Sequence, residues 1–345
     1  MAPPPTDHHG DSGTTLLAPA SGRPSDGIPA KVAGMPTPPE NLNPDGNLVS
    51  NETFAEYMAP IEAALSDYAV AVNAQADGHG YLPAASSQAM AELDVQRAWA
   101  TASWSEPVRN AHSYASTLLY TLIEHVAAFA AIIAHTKVGP SQSHRPTLRA
   151  VFEITPIAHW LFDPTISAEK RVKRSIAYRL KSANESGRMQ HLEQAVQNSK
   201  NARNACKTFA RHNGWAIRAN AVDDEKLPVA AESFSTVVFG GEAERLDRTL
   251  WSLLSASTHG TWYAISEGFA ERMVPDPLDP SGGFAPVIIE AGQITMFALM
   301  VGQSLQAVAT ARSELMGWPA TDAMIDALTR IETIGERYTA ATANS

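Results

Sequence analysis

Apolar residues recur three and four positions apart through most of the chain from Ser50 onward, and alternating runs typical of strands are few. This spacing gathers apolar side chains on one face of an α-helix and predicts an all-α fold, a bundle of about eight to ten helices. The predicted helices, each with its capping or first residue and its approximate end, are Ser50–Ala76, Ser87–Ser103, Pro107–Lys137, Pro146–Asp163, Ser167–Ser182, Arg188–Arg211, Glu242–His259, one more before Pro275, Val287–Met316 and Thr321–Tyr338.

Two stretches of the foldable chain lack this periodicity. Residues 215–241 are expected to form a loop or linker, in which Ser235–Phe239 is the one candidate strand, and Pro275–Pro286 is rich in Pro and Gly. Ahead of the first helix, 10 of the 23 prolines lie between Pro3 and Pro44, and the first aromatic residue is Phe54. The prediction is a disordered tail over 1–49, a helical region over 50–214, and a second helical region over 242–345 that packs on the first.

Composition adds limits to this picture. With one cysteine in 345 residues the chain cannot close an internal disulfide, and a net charge of −10 argues against a surface that attracts nucleic acid everywhere. The first residues lack the basic start and apolar run of a secretory signal. The most apolar stretch, Leu118 to Ala134, is short for a membrane span and contains Glu124 and His125. We therefore expect a cytoplasmic protein without membrane contact.

The average charge conceals a basic segment. Between Glu169 and Arg218 there are 12 Lys and Arg against 3 Asp and Glu, a local charge of +9 that leaves −19 elsewhere. Within it, four cations share one strip about 80° wide on a helix, and we call them the basic ridge: Lys200, Arg203, Lys207 and Arg211. The ridge is interpreted either as a binding face for phosphates or an acidic partner, or as an ordinary solvated helix face. Because no aromatic residue interleaves with it, sequence alone gives no support for base stacking.

The predicted helix Pro146–Asp163 is apolar on all sides, which predicts burial. Arg149 and Glu153 lie one turn apart and are expected to pair, with His159 about 80° away from Arg149. One interpretation is a structural ion pair beside a core histidine. The other makes Glu153 or His159 a proton-transfer group, because burial and charged neighbours shift pKa values.

A second polar face precedes Gly260. Arg245, Arg248, Ser255 and His259, together with Ser252, lie within about 80° of one another on a helix. Two arginines, hydroxyls and a histidine are suited to binding an anion, with His259 as general acid or base. The alternative is a polar face at a helix interface.

Other chemistry receives little support from the sequence. No cofactor is indicated, since the chain has no P-loop, no nucleotide-binding glycine motif and no Gly-x-Ser-x-Gly elbow. Glu124 and His125 are adjacent and point about 100° apart, which disfavours a shared metal ion. Cys206 falls on the apolar strip of its helix, which disfavours a nucleophilic role.

A family resemblance rests on particular residues of two stretches. The first contains Arg149-x-x-x-Glu153 followed by Trp160-Leu161-x-Asp163-Pro164, Ser167, Arg171 and Arg174, and the second is Leu254-Ser255-x-x-x-His259-Gly260. In these features the chain resembles a group of uncharacterised bacterial all-helical proteins, which are loosely similar to the HEPN superfamily. That superfamily includes ribonucleases of toxin and antiviral systems. Its nuclease motif has four to six residues between Arg and His, whereas ten separate Arg248 from His259.

Three functions follow from these patterns. The first is a HEPN-like protein of toxin or phage defence that acts on RNA or a nucleotide, ribonuclease-like, with Arg248, Ser255 and His259 catalytic. Its substrate-binding residues would be Arg245, Arg149, Glu153, His159 and Arg174. The second is a non-catalytic interaction module that docks an acidic partner on the basic ridge. The third is a small-molecule enzyme or binder in the helical core. Whether copies of the chain associate is left open.

Overall fold

The computed structural model describes residues 40–42, 48–135, 143–188, 192–218, 274–275, 283–284 and 288–343. The fold is all-α, as predicted, and these residues form eight α-helices and a few strands of two or three residues. The helices are α1 Asn51–Gly78, α2 Gln88–Val95, α3 Pro107–His135, α4 His144–Phe162, α5 Ala168–Ser186, α6 Glu193–His212, α7 Ala291–Met316 and α8 Asp322–Ala343.

Three helices begin at the serines that the sequence marks as caps. The side chains of Ser50, Ser87 and Ser167 accept hydrogen bonds from the backbone N–H groups of Thr53, Met90 and Lys170, each three residues onward. These bonds satisfy amides that have no partner inside the first helical turn. Local sequence therefore determines where α1, α2 and α5 begin.

Several helices differ from their predicted bounds, α6 beginning at Glu193 instead of Arg188, and in two of them other contacts compete. The α2 helix ends at Val95 and continues only as a 3₁₀ turn, Gln96–Trp99, since Thr101 and Trp104 then pair through their backbones. The α7 helix begins at Ala291 because the preceding residues form a strand. The helix predicted between Glu242 and His259 lies outside the described residues, as does most of the predicted tail.

The short strands form two small sheets. In the first, β1 (Glu40–Leu42) lies between β2 (Leu48–Val49), to which it is antiparallel, and β5 (Ile288–Glu290), to which it is parallel. In the second, β3 (Val274–Pro275) pairs antiparallel with β4 (Gly283–Phe284). The last part of the predicted tail thus contributes β1 and β2.

Two hydrophobic clusters organise the helices. The main core lies among α1, α3, α4, α7 and α8, which pack against one another, and includes the fully buried Phe54, Phe129, Trp160 and Phe162. The second core joins α5, α6 and the start of α3 through Trp104, Val108, Val172, Ile176, Cys206 and Phe209. The α5 helix packs on α3 and α4, whereas α6 packs mainly on α5. The α6 part of the basic segment therefore lies on the outer side of the bundle.

Candidate functional site

The structure describes four of the eight predicted site residues. Arg149, Glu153 and His159 lie on α4, and Arg174 lies on α5. The other four, Arg245, Arg248, Ser255 and His259, lie outside the described residues. Their predicted roles remain predictions.

Arg149 and Glu153 meet as their spacing predicts. Arg149 Nε lies 2.8 Å from Glu153 Oε1. Most of α4 is buried, but this pair reaches its surface, since the Glu153 side chain is 47% exposed and that of Arg149 20% exposed. The pair is therefore partly screened by water, unlike the buried pair that an all-apolar helix suggested.

His159 lies almost three turns of α4 beyond Arg149 and is half-buried. Burial lowers its pKa, with Asp163 opposing that effect and Arg174 adding to it. Within the described residues its Nδ1 is buried and makes no hydrogen bond. A largely neutral imidazole of this kind can accept a proton, but the described residues place no second catalytic group in hydrogen bond with it.

The Arg174 side chain bonds to groups inside the fold. Its Nη1 donates to the Trp160 carbonyl oxygen at 2.7 Å and to Asp163 Oδ2 at 2.9 Å, and its guanidinium lies 5.1 Å from the centroid of the Trp160 ring. Burial would raise the pKa of Asp163, but hydrogen bonds from Thr165 and Arg174 lower it overall. Arg174 therefore fixes the end of α4 against α5.

The strongest polar cluster in the described residues centres on Arg171, which is fully buried. Its Nε and Nη2 donate to the two carboxylate oxygens of Glu92 at 2.8 and 2.9 Å, and His112 Nε2 lies 2.9 Å from Glu92 Oε2. Arg171 also donates to the carbonyl oxygens of Leu161 and Asp163 at 2.6 and 3.0 Å. We call Glu92, His112 and Arg171 the buried triad. It joins α2, α3 and α5 and also holds the end of α4.

The electrostatics of the buried triad favour an ionised Glu92 and a neutral His112. Burial would raise the pKa of Glu92, yet hydrogen bonds from His112 and Arg171 lower it to about 2. Burial lowers the pKa of His112, and its hydrogen bond to Glu92 only partly opposes this. A bidentate guanidinium with further carbonyl acceptors is the geometry in which a buried charge is best compensated. The triad is built to hold helices together.

Sequence reasoning did not find Glu92 or His112. Arg171 appeared in the resemblance, but Glu92 lies 79 residues from Arg171, and His112 lies 20 residues from Glu92. No local pattern connects the three. The one available signal was a carboxylate and a histidine on the apolar faces of their helices.

The basic ridge occupies the outer face of α6. Lys200, Lys207 and Arg211 are exposed and Arg203 is half-buried, and none of the four forms an ion pair within the described residues. The adjoining face, next to Arg203, carries Ser199, Cys206, Phe209 and Ala210, all buried. Burial raises the pKa of the Cys206 thiol, which makes it a poor nucleophile.

Three further comparisons describe the chain as a whole. No family model, no curated protein and no solved structure matches it. Two described helices are long and apolar enough to cross a membrane by length and composition alone: Pro107–Ala134, 33% buried over its most apolar window, and Ala291–Met316, 67% buried. Within the described residues no three His, Cys, Asp or Glu side chains are grouped as a metal site.

Proposed function

We propose that this protein is a cytoplasmic RNA-binding helical protein that holds phosphates on the basic ridge. The observation that carries the proposal is the contrast within the basic segment. The guanidinium groups of Arg171 and Arg174 donate hydrogen bonds to acceptors inside the fold. The four ridge cations are exposed or half-exposed and have no carboxylate partner among the described residues. Solvent-facing cations that are not neutralised by the fold are available to an anion.

The surroundings of the ridge favour nucleic acid over an acidic protein. The α6 helix contains one acidic residue, Glu193, at its start. The exposed positions of the helix carry amides instead: Gln194, Gln197, Asn198, Asn201 and Asn204. Of these, Gln197 and Asn204 flank the cations, and Gln194 donates to Asn198 as Gln197 donates to Asn201. Lys, Arg, Asn and Gln together are the residues that bond phosphates, sugars and base edges. Among nucleic acids, the resemblance to HEPN proteins favours RNA.

The spacing of the ridge also suits a polyanion. Successive ridge residues lie three or four positions apart, about 4.5 to 6 Å along the axis, and the four extend over about 16 Å. A row of this kind meets several phosphates of one strand rather than a single charged group. The predicted cleavage of bound RNA by Arg248, Ser255 and His259 forms the catalytic part of the proposal.

The ridge is tested by charge reversal with a matched control. Lys200→Glu with Lys207→Glu is compared with Arg109→Glu and Arg330→Glu, which change the net charge equally but remove exposed cations paired with Glu106 and Asp67. Anisotropy of a labelled RNA stem-loop is measured from about 50 to 200 mM salt. The ridge variant should bind at least about tenfold more weakly, and its salt slope should shrink by about 1.4 to 1.8, at roughly 0.7 to 0.9 per lost contact.

Equal losses in both variants, or no binding by the wild-type protein, would refute RNA binding at the ridge. Polyglutamate serves as the acidic-protein probe, and its ridge-dependent binding without RNA binding would favour the interaction module instead.

For the catalytic part, wild type and His259→Ala are expressed to compare growth arrest and RNA cleavage, with folding checked by circular dichroism. Cleavage that persists without His259 removes its catalytic assignment.

A further inference from the structure

Two tryptophans come together at the C-terminal end of α6, although neither lies on the ridge in sequence. Trp215 follows the helix, and Trp99 ends the 3₁₀ turn more than a hundred residues earlier. Their ring centroids are 6.1 Å apart with the planes tilted by 57°. Both side chains are partly exposed, whereas the neighbouring Trp104 is buried. We call Trp99 and Trp215 the tryptophan pair.

The backbone fixes the position of this pair relative to the ridge. Gly214 has a φ of +68°, which reverses the chain directly after α6. The Trp215 N–H then donates to the Ala210 carbonyl oxygen at 2.8 Å, so Trp215 lies against the last helical turn, the turn that carries Arg211. Because a helix with its side chains is about 10 to 12 Å across, Trp215 lies within about one helix diameter of Arg211, the last residue of the ridge.

Three further side chains contact the pair. Phe209 packs its ring at 5.8 Å from Trp215 in a T-shaped contact, and Asn213 Nδ2 donates to the Trp99 carbonyl oxygen at 3.4 Å. Lys173 Nζ lies 5.1 Å from the Trp215 ring centroid. Trp99 and Trp215 are thus partly buried against the second core, and the pair combines its remaining exposed aromatic surface with a cation over the ring of Trp215.

We infer that this protein takes single-stranded RNA, with an unpaired base stacked on the tryptophan pair while the adjoining phosphates lie along the basic ridge. The inference rests on the proposed function and narrows it. A base can stack on a side chain only when it is not already stacked and paired within a duplex, and aromatic surface joined to a cationic track is the arrangement that selects single strands. A helix face with cations alone would not distinguish single-stranded RNA from a duplex.

The test compares two labelled probes, decauridylate and a blunt ten-base-pair RNA duplex. Trp215→Leu keeps an apolar side chain over Phe209 but removes the ring, and Trp215→Phe restores an aromatic face. Tyr57→Ala, which removes an aromatic side chain that is 41% exposed on α1, is the control. Trp215→Leu should weaken decauridylate binding by about 5- to 150-fold, the range for one stacked base. Its salt slope should not change, and Trp215→Phe should recover most of the affinity.

The outcomes separate this inference from the proposed function. If Trp215→Leu binds decauridylate as the wild type does, or if wild type prefers the duplex, the single-strand inference is wrong while the ridge can still bind RNA. If wild type binds neither probe, the proposed function itself fails. Quenching of tryptophan fluorescence on addition of decauridylate, lost in Trp99→Leu/Trp215→Leu and kept in Tyr57→Ala, is the second supporting result.

Discussion

The helices α5 and α6 are both basic, but the arginines of α5 and the ridge cations of α6 are used in opposite ways. On α5, Arg171 is fully buried in the triad and Arg174 is bonded to the end of α4. Arg179 lies between the rings of Trp104 and Tyr114, at 4.5 and 4.7 Å from their centroids. On α6 the ridge is mostly exposed. A local charge of +9 therefore describes two different things: a fold stabilised by buried cations and a surface open to ligands.

The largest expected difference between the two helices is in stability. Arg171→Met should lower the free energy of unfolding by about 3 to 5 kcal/mol, because it leaves the Glu92 carboxylate buried without its bidentate partner. Urea denaturation at pH 7 measures the change. Arg109→Met, which removes an exposed cation paired with Glu106, serves as control and should cost less than about 1 kcal/mol. Equal losses of unfolding free energy in Arg171→Met and Arg109→Met would contradict the distinction between buried and surface cations.

The second largest expected effect is a loss of folding stability at low pH, through the buried triad. Because the pKa of Glu92 falls from 4.5 to about 2 on folding, its contribution is present above about pH 4.5 and is lost as the pH falls toward 2. It amounts to at most about 3 kcal/mol. The lowered pKa of His112 acts in the same direction, and its contribution begins to fall as the pH drops through 6.5.

Urea midpoints at pH 7, 5 and 3 test this dependence. Glu92→Gln should be less stable than wild type at pH 7 and should lose less stability on acidification. Glu124→Gln, at an exposed position of α3, should follow the wild-type profile. Parallel profiles for Glu92→Gln and wild type would contradict the assignment of Glu92 as the acid-sensitive group.

The smallest expected effect is on the ridge itself. Lys207→Ala removes an exposed side chain with no ion pair among the described residues, so it should change the free energy of unfolding by less than about 0.5 kcal/mol. RNA affinity should nevertheless fall. A stability loss comparable to that of Arg171→Met would mean that α6, like α5, uses its cations to hold the fold.

The parts of this molecule that could be predicted from sequence are those set by neighbours along the chain. The caps at Ser50, Ser87 and Ser167, the Arg149–Glu153 pair and the polar and apolar faces of α6 all depend on spacings of three or four residues. Burial of α4 followed from its all-apolar surface.

The parts that were missed require distant segments to meet. The start of α7 is set by pairing of Ile288–Glu290 with β1, about 250 residues earlier, and that competition is invisible in the apolar run itself. The buried triad draws on three helices, and the tryptophan pair joins a 3₁₀ turn to the third residue after α6. Spacing rules cannot bring such residues together, because they describe only one element at a time.

The attachment of α6 mainly to α5 has a consequence for local opening. The helix is held by the buried faces of Cys206 and Phe209 and by the hydrogen bond from Ser199 to the Ala183 carbonyl oxygen, while the main core is closed without it. Its amides should therefore exchange with solvent through openings that leave the bundle intact. RNA bound along α6 would close those openings, so that the protection from hydrogen exchange that binding adds would be concentrated in a helix that packs mainly on α5.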